Sequence, residues 1–332
     1  MPPAGSMIRD LYALARFRQW GKGGFVLIGP FYAVAQGDAA LDLSLVAAAL
    51  IAFVAFGLAS SGCYVVNDIR DRDRDAQHPR KRSRPIASGR VSPGRARVFA
   101  VGLLAAAALC VWLGPIVTGA ALVEPWWVAG LLLLYVLNVM AYTAILKQRV
   151  ILDVVSLSSG FVLRVLVGCA AVGVAPSTWL LNSTLFLAMF LAFGKRLGER
   201  RTMAAEHVDA SEVRAVQQAY SDDLLRMAVV MTGVGTLVTY AGYVQDQEAR
   251  WGPSLDAVAA GGAWGMNWLW LTMLPATYGL LRCIVLLERG RYDDPTELAV
   301  RDRGVQLAGM AFVAVVLVLV VWGGPSGGTP AV

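Results

Sequence analysis

The sequence predicts an all-α, polytopic membrane protein, a bundle of about nine transmembrane helices around a cytoplasm-facing cavity. Two observations carry that expectation. The 332 residues are 57% hydrophobic and only 16% charged, with a mean hydropathy of +0.58, the profile of a chain solvated by lipid. Most of the charged residues, moreover, lie in short segments between long apolar runs.

Nine runs are long enough to cross a bilayer: roughly 19–36, 43–66, 97–119, 126–146, 150–173, 177–195, 222–244, 264–287 and 304–323. The first is the weakest, because Gly21, Lys22 and Pro30 interrupt it. One set of connecting segments (the N-terminus, 67–96, 147–149, 195–226 and 288–303) holds nearly all the Lys and Arg. In the other set Arg250 is the only basic residue. Basic loops stay inside, so the N-terminus and the basic set are expected in the cytoplasm of a cell (inner) membrane protein. The same distribution accounts for the net charge of +6 without nucleic acid as a partner. Cys63, Cys110, Cys169 and Cys283 lie far apart beside apolar segments and read as packing residues. Residues 1–332 read as a single integral membrane domain, with 67–96 a cytoplasmic loop and 196–221 a polar helical connector. The outer segment 245–263 reads as a short cap or loop, and the Gly- and Pro-bearing tail after Trp322 as frayed. The oligomeric state stays open, and a homo-oligomer is compatible with the sequence.

The loop 67–96 carries the chemistry. It begins Asn67-Asp68-Ile69-Arg70-Asp71-Arg72-Asp73-Arg74-Asp75 and continues through Lys81, Arg82 and Arg84. In a helix, Asp68, Asp71 and Asp75 stand at i, i+3 and i+7 and project from one face, whereas Asp73 falls off that stripe. Crowded carboxylates call for a cation, and hard oxygen ligands suit a hydrated divalent ion such as Mg²⁺. The basic run behind them can take phosphate oxygens. Topology alone would account for the arginines as a solvated charged loop, but not for three acids on one face.

Further ionisable groups lie at the cytoplasmic ends of other spans. Asp153 opens the fifth, and Arg164 follows eleven residues, three turns, later on the face of Ser156 and Gly160. A charge that deep must face the bundle interior, as part of a site or of an ion pair between spans. Lys195 and Arg196 close the sixth span with Glu199, where snorkelling is the competing reading. Lys22 in the first span is deep enough to be a site residue, and Trp20 reads as an interface anchor.

Asn67-Asp68-x-x-Asp71-x-x-x-Asp75, followed by Lys81-Arg82-x-Arg84-Pro85-Ile86-Ala87-Ser88-Gly89, resembles the first aspartate-rich motif of the UbiA superfamily of intramembrane prenyltransferases, whose members have nine transmembrane helices. The second motif of its aromatic prenyltransferases, DxxxD after the sixth span, is missing: Lys195, Arg196 and Glu199 stand there. That absence resembles the phosphoribosyl-transferring branch, as do Arg18-Gln19-Trp20-x-Lys22, Asp153 with Arg164, Pro295-x-Glu297 and Arg301-Asp302-Arg303. The resemblance implies a Mg²⁺-dependent pentosyltransferase that moves 5-phosphoribosyl from phosphoribosyl pyrophosphate to a polyprenyl (decaprenyl-type) phosphate, releasing pyrophosphate, for cell-envelope polysaccharide precursors. It implies Asp68, Asp71 and Asp75 as metal ligands supported by Asn67. Lys81, Arg82, Arg84, Lys195 and Arg196 would bind the donor's phosphates, and Lys22 or Arg164 would orient the lipid phosphate. Asp153 would contact ribose hydroxyls or brace a cation. The alternatives are prenyl transfer from a prenyl diphosphate to an aromatic or glycerol-phosphate acceptor, and transport of a phosphorylated solute.

Overall fold

A computed structural model describes residues 4–77, 81–119, 122–206, 219–247, 266–289 and 301–322. Most of the expected outer segment 245–263, the connector over 207–218, Pro295 with Glu297, and the tail after Trp322 lie outside them. The chain divides into two compact units, Met1–Pro176 and Ser177–Val332.

The first unit contains α1 (Ala4–Ala15), a 3₁₀ segment (Phe17–Leu27), α2 (Ile28–Gln36), α3 (Leu43–Arg70), α4 (Arg72–Gln77), α5 (Pro93–Thr118), α6 (Pro125–Ala144) and α7 (Leu152–Val172). The second contains α8 (Thr178–Glu206), α9 (Asp222–Asp246), a 3₁₀ turn (Trp268–Thr272), α10 (Met273–Glu288) and α11 (Arg303–Trp322). Among the described residues seven helices have the length and hydropathy to cross a membrane: α3, α5, α6, α7, α8, α9 and the Trp268–Glu288 run. The other two expected spans are α11, whose apolar part is shorter, and Phe17–Gln36, in which Gly21, Gly23 and Gly24 accompany a 3₁₀ stretch ahead of α2. Lipid offers no partner for backbone N–H and C=O groups, so apolar runs must satisfy them internally as helix.

Helix ends follow local chemistry. Asp42 accepts from the Leu45 amide at 2.8 Å, and Ser92 and Ser221 cap α5 and α9 in the same way. Gly37 and Gly173 end α2 and α7 in the left-handed conformation.

In the first unit α7 is central: 61% of its apolar window is buried against protein, compared with 22% for α5 and for α6. The exposed Leu, Val and Trp side chains of α5 and α6 therefore form a surface for lipid. Their inner faces meet Val26, Ala52, Ala55, Phe56, Ala59, Tyr135, Leu163 and Val167 in one apolar core. The crossing of α7 with the 3₁₀ segment and α2 is made backbone to backbone. A Cβ on Gly168 would overlap the Val26 carbonyl oxygen, and one on Gly29 the backbone of Gly168 and Cys169. Gly168→Ala should therefore destabilise the first unit by about 1–3 kcal/mol. A thermal unfolding midpoint in detergent equal to that of the parent chain would contradict this crossing.

In the second unit α8 and α9 pack along their lengths and α10 pairs with α11. Buried Thr232, Thr236 and Thr239 return their hydroxyls to carbonyls of the preceding turn of α9, so these three hydroxyls do not face the apolar interior unpaired. Asp302 caps α11 through the Val305 amide at 3.0 Å and accepts from Arg282 of α10 at 3.0 and 3.2 Å. The Arg282 hydrogen bond, then the Val305 amide, hold its carboxyl below the usual range. A lowered native pKa gives stability that is complete above the ordinary carboxylate value and lost as pH falls through the native one. Asp302→Asn should flatten the acid limb of stability against pH in that window; an unchanged limb on acid titration would contradict the linkage.

Candidate active site

The last turns of α3 and the segment after it bring the expected site residues of the first unit together. The helix ends at Arg70, Asp71 takes the cap position, and α4 begins at Arg72. Asp71 donates its amide to the Asn67 carbonyl at 2.9 Å, and Asp75 donates its amide to the Asp71 carbonyl at 2.8 Å. Helical register is thus carried through the break. Asp68 and Asp75 are buried at 3% and 4% exposure, Asp71 is half-buried and Asp73 exposed, as the off-stripe position of Asp73 predicts.

Each of the three carboxylates on the stripe meets a cation. Asp68 Oδ1 accepts from Arg16 Nη2 at 2.5 Å and from Arg84 Nη1 at 3.2 Å. The same Arg84 nitrogen donates to Asp75 Oδ2 at 2.6 Å. Asp71 Oδ1 accepts instead from Lys147 Nζ at 2.6 Å. The three carboxylates do not share one partner: Asp68 and Asp75 share a guanidinium, while Asp71, at the helix break, turns to the segment after α6. Among the described residues no group of three His, Cys, Asp or Glu stands close enough to hold a metal ion in this arrangement. The donor set itself, three carboxylates within eight positions each drawing a full positive charge, has the chemistry that a hard divalent cation requires.

The partners are held firmly. Arg84 lies in a turn-rich segment in which Arg84 N meets Lys81 O and Val91 N meets Pro85 O, both at 2.9 Å. Ile86 and Val91 anchor that segment in a core with Leu14, Val65, Ala96, Ala100 and Leu103. Lys81 is half-buried and Arg82 exposed on it. Arg16 follows α1 with φ 51°, an uncommon conformation for a residue with a side chain, and its guanidinium covers the Tyr64 ring at 5.2 Å. Asn67 Oδ1 accepts from Thr143 Oγ1 at 3.3 Å. Lys22 is exposed on the 3₁₀ segment.

Deeper in the unit, Arg164 is 6% exposed and donates to the Gly160 carbonyl at 2.6 Å and to Tyr135 Oη at 3.3 Å. The rings of Phe56, Tyr135 and Phe161 surround its guanidinium at 4.8, 5.2 and 4.9 Å. Its Nε is buried without a hydrogen-bond partner. No carboxylate pairs with it among the described residues, so the ion-pair reading of this position is not what the structure builds. Asp153 is fully buried at the first turn of α7, and Ser156, three residues on, exchanges hydrogen bonds with Asn138 of α6, both at 2.9 Å.

In the second unit Lys195 is half-buried and Arg196, 5% exposed, reaches Glu199 of its own helix at 3.3 Å. A network around them joins three helices: Arg200 to Asp222 at 2.7 Å, Arg201 to Glu288 at 3.3 Å and Arg226 to Glu288 at 3.1 Å.

Sequence reasoning missed Arg16, Lys147, Tyr64 and Thr143 as members of the first cluster. Arg16 and Lys147 are 52 and 76 positions from the aspartates they meet, beyond any helical periodicity. The one available signal was that each is a cation next to a span end.

The chain is similar to known proteins over most of its length. The profile of the UbiA prenyltransferase family matches residues 24–301. The chain is 32% identical over 319 residues to a decaprenyl-phosphate phosphoribosyltransferase of Mycolicibacterium smegmatis, covering 95% of this chain and 93% of that one. It is 29% identical over 322 residues to the enzyme of the same name from Mycobacterium tuberculosis, covering 97% of each. Among solved structures, a UbiA homologue from Archaeoglobus fulgidus bound to GPP and Mg²⁺ superposes with a TM-score of 0.60 at 15% identity, over 93% of this chain and 97% of that one. At that identity the likeness concerns the fold alone. Helical architecture, an aspartate-rich turn closing a long span and a family match over most of the length coincide: the chain belongs to the UbiA prenyltransferase family.

Proposed function

We propose that this protein is a polyprenyl-phosphate phosphoribosyltransferase, moving 5-phosphoribosyl from phosphoribosyl pyrophosphate to a polyprenyl phosphate of decaprenyl type. The observation that carries the reading is the near full-length similarity to decaprenyl-phosphate phosphoribosyltransferases. The carboxylate and cation cluster at the end of α3 supports it.

In this reading the protein works as one membrane domain with its N-terminus and site toward the cytoplasm. Asp68, Asp71 and Asp75, with Asn67 beside them, would hold Mg²⁺, which when bound supplies charge neutralisation and Lewis acidity at the leaving pyrophosphate. Three cations, Arg16, Arg84 and Lys147, face those carboxylates, so the cluster can carry a polyanionic donor without net repulsion. Lys81 and Arg82 would offer further contacts for its phosphates, and Lys195 and Arg196 of the second unit are proposed for phosphate contacts from the sequence alone. Lys22 or Arg164 receives the lipid phosphate. Asp153 contacts ribose hydroxyls or orients a cation. The nucleophile is an already ionised phosphate oxygen, which attacks the anomeric carbon as pyrophosphate departs. No strong general base is needed; catalysis consists of positioning two anions and stabilising the leaving group.

Incubation of membranes containing the protein with polyprenyl phosphate and ribose-labelled phosphoribosyl pyrophosphate should carry label into the organic phase, dependent on Mg²⁺. Label that stays in water while prenyl diphosphate is consumed with an aromatic or glycerol-phosphate acceptor would replace this reading with prenyl transfer.

A further inference from the structure

Helix α1 packs on the protein along only part of its apolar surface. Leu14 and Ala15 are each 1% exposed, and Leu11 joins Leu14 against the core that contains Val65 and Ile86. On the adjoining flank Ile8 and Tyr12, one turn apart, are 71% and 61% exposed. Asp10, on the far side, accepts from Arg90 at 2.9 Å and pins the helix to the segment that carries Arg84. The exposed flank therefore has a fixed direction.

An aromatic row leads away from that flank. Tyr12 contacts Phe17 at 5.0 Å, Phe17 contacts Trp20 at 5.1 Å, and Trp20 contacts Phe53 of α3 at 6.0 Å between ring centroids. The row starts on exposed rings and ends on a membrane-crossing helix. That is the gradient over which Tyr and Trp prefer to sit between water and hydrocarbon. Arg9 beside Ile8, and Arg18 past the end of the helix, are both exposed. Apolar side chains flanked by arginines suit a negatively charged lipid surface. A second copy of the chain docked on the same flank about a two-fold axis would bring like charges together.

We propose that α1 is an interfacial helix, seated on the protein by one flank and on anionic phospholipid head groups by the other. Because α1 ends one residue before Arg16, lipid seating also steadies the guanidinium that Asp68 accepts from.

Spin labels on Ile8→Cys, Tyr12→Cys and Ala13→Cys variants of the full chain in lipid nanodiscs test this, with the unsubstituted chain giving the background from its four free cysteines. Labels at positions 8 and 12 should be relaxed by oxygen and shielded from a water-soluble nickel chelate, with the reverse at 13. A basic side chain at an anionic surface is worth roughly fivefold in affinity. Adding Arg9→Glu and Arg18→Glu should therefore raise nickel access at positions 8 and 12 in phosphatidylglycerol-rich discs and change little in phosphatidylcholine. Nickel access at all three positions, or identical behaviour in both lipids, would overturn the proposal. So would dipolar broadening between labels at position 12, which would identify a second copy as the occupant.

Discussion

Asp68→Asn should abolish phosphoribosyl transfer, lowering kcat by about a thousandfold or more, while leaving the protein folded. The size follows from what the carboxylate does in the proposed reaction, where it holds the cation against which pyrophosphate leaves; loss of a single preorganised charge-stabilising contact already costs about 10²–10³ in rate. The fold survives because Asn preserves the shape and still offers an oxygen to Arg16 and Arg84, whose side chains are 23% and 30% exposed and can be solvated. Two measurements are needed together, labelled product in the organic phase and the melting temperature in detergent. Turnover within a few-fold of the parent would remove Asp68 from the metal role. Asp73→Asn supplies the control: its exposed side chain lies off the stripe, and activity should be preserved.

Arg164→Met gives the second large effect and separates binding from packing. If the guanidinium served only to fill space among Phe56, Tyr135 and Phe161, an unbranched apolar side chain would be neutral or stabilising, since replacing buried charge by apolar volume often is. If it receives the lipid phosphate, the same substitution should leave the melting temperature near that of the parent or above it. Transfer should then weaken by the equivalent of about 2–5 kcal/mol, expressed mainly as a raised KM for polyprenyl phosphate. Unchanged kinetics in a well-folded variant would assign Arg164 to packing and leave Lys22 as the candidate. The ring contacts and the unpartnered Nε favour binding, because a buried donor without an acceptor is unfavourable unless something else supplies one.

How legible the fold was can be argued span by span. The expected run 43–66 is α3 and 150–173 is α7, displaced by a few residues at their ends. α3 continues to Arg70 because its polar end is anchored by tertiary partners that hydropathy does not register. The stretch 19–36 was correctly the weakest: its glycines and Pro30 give a 3₁₀ segment and a short helix, admitted because Gly168 lets the backbones touch. At the site, the spacing of Asp68 and Asp75 was sufficient to place them together. For Asp71 it was not, since spacing along the chain does not register Lys147, which meets that carboxylate from 76 positions away.

By itself the sequence determined that the chain lives in lipid, where helices must form and in what order, and that acids and bases gather after α3. These follow from one-dimensional quantities, because in a bilayer hydropathy and backbone hydrogen bonding decide local structure before any long-range contact forms. Only the tertiary structure decided which cation meets which carboxylate, that Arg164 sits among rings instead of facing an acid, and that α1 keeps an apolar flank uncovered. Those are contacts between residues tens of positions apart, set by how helix faces pack, and neither spacing nor composition carries that information.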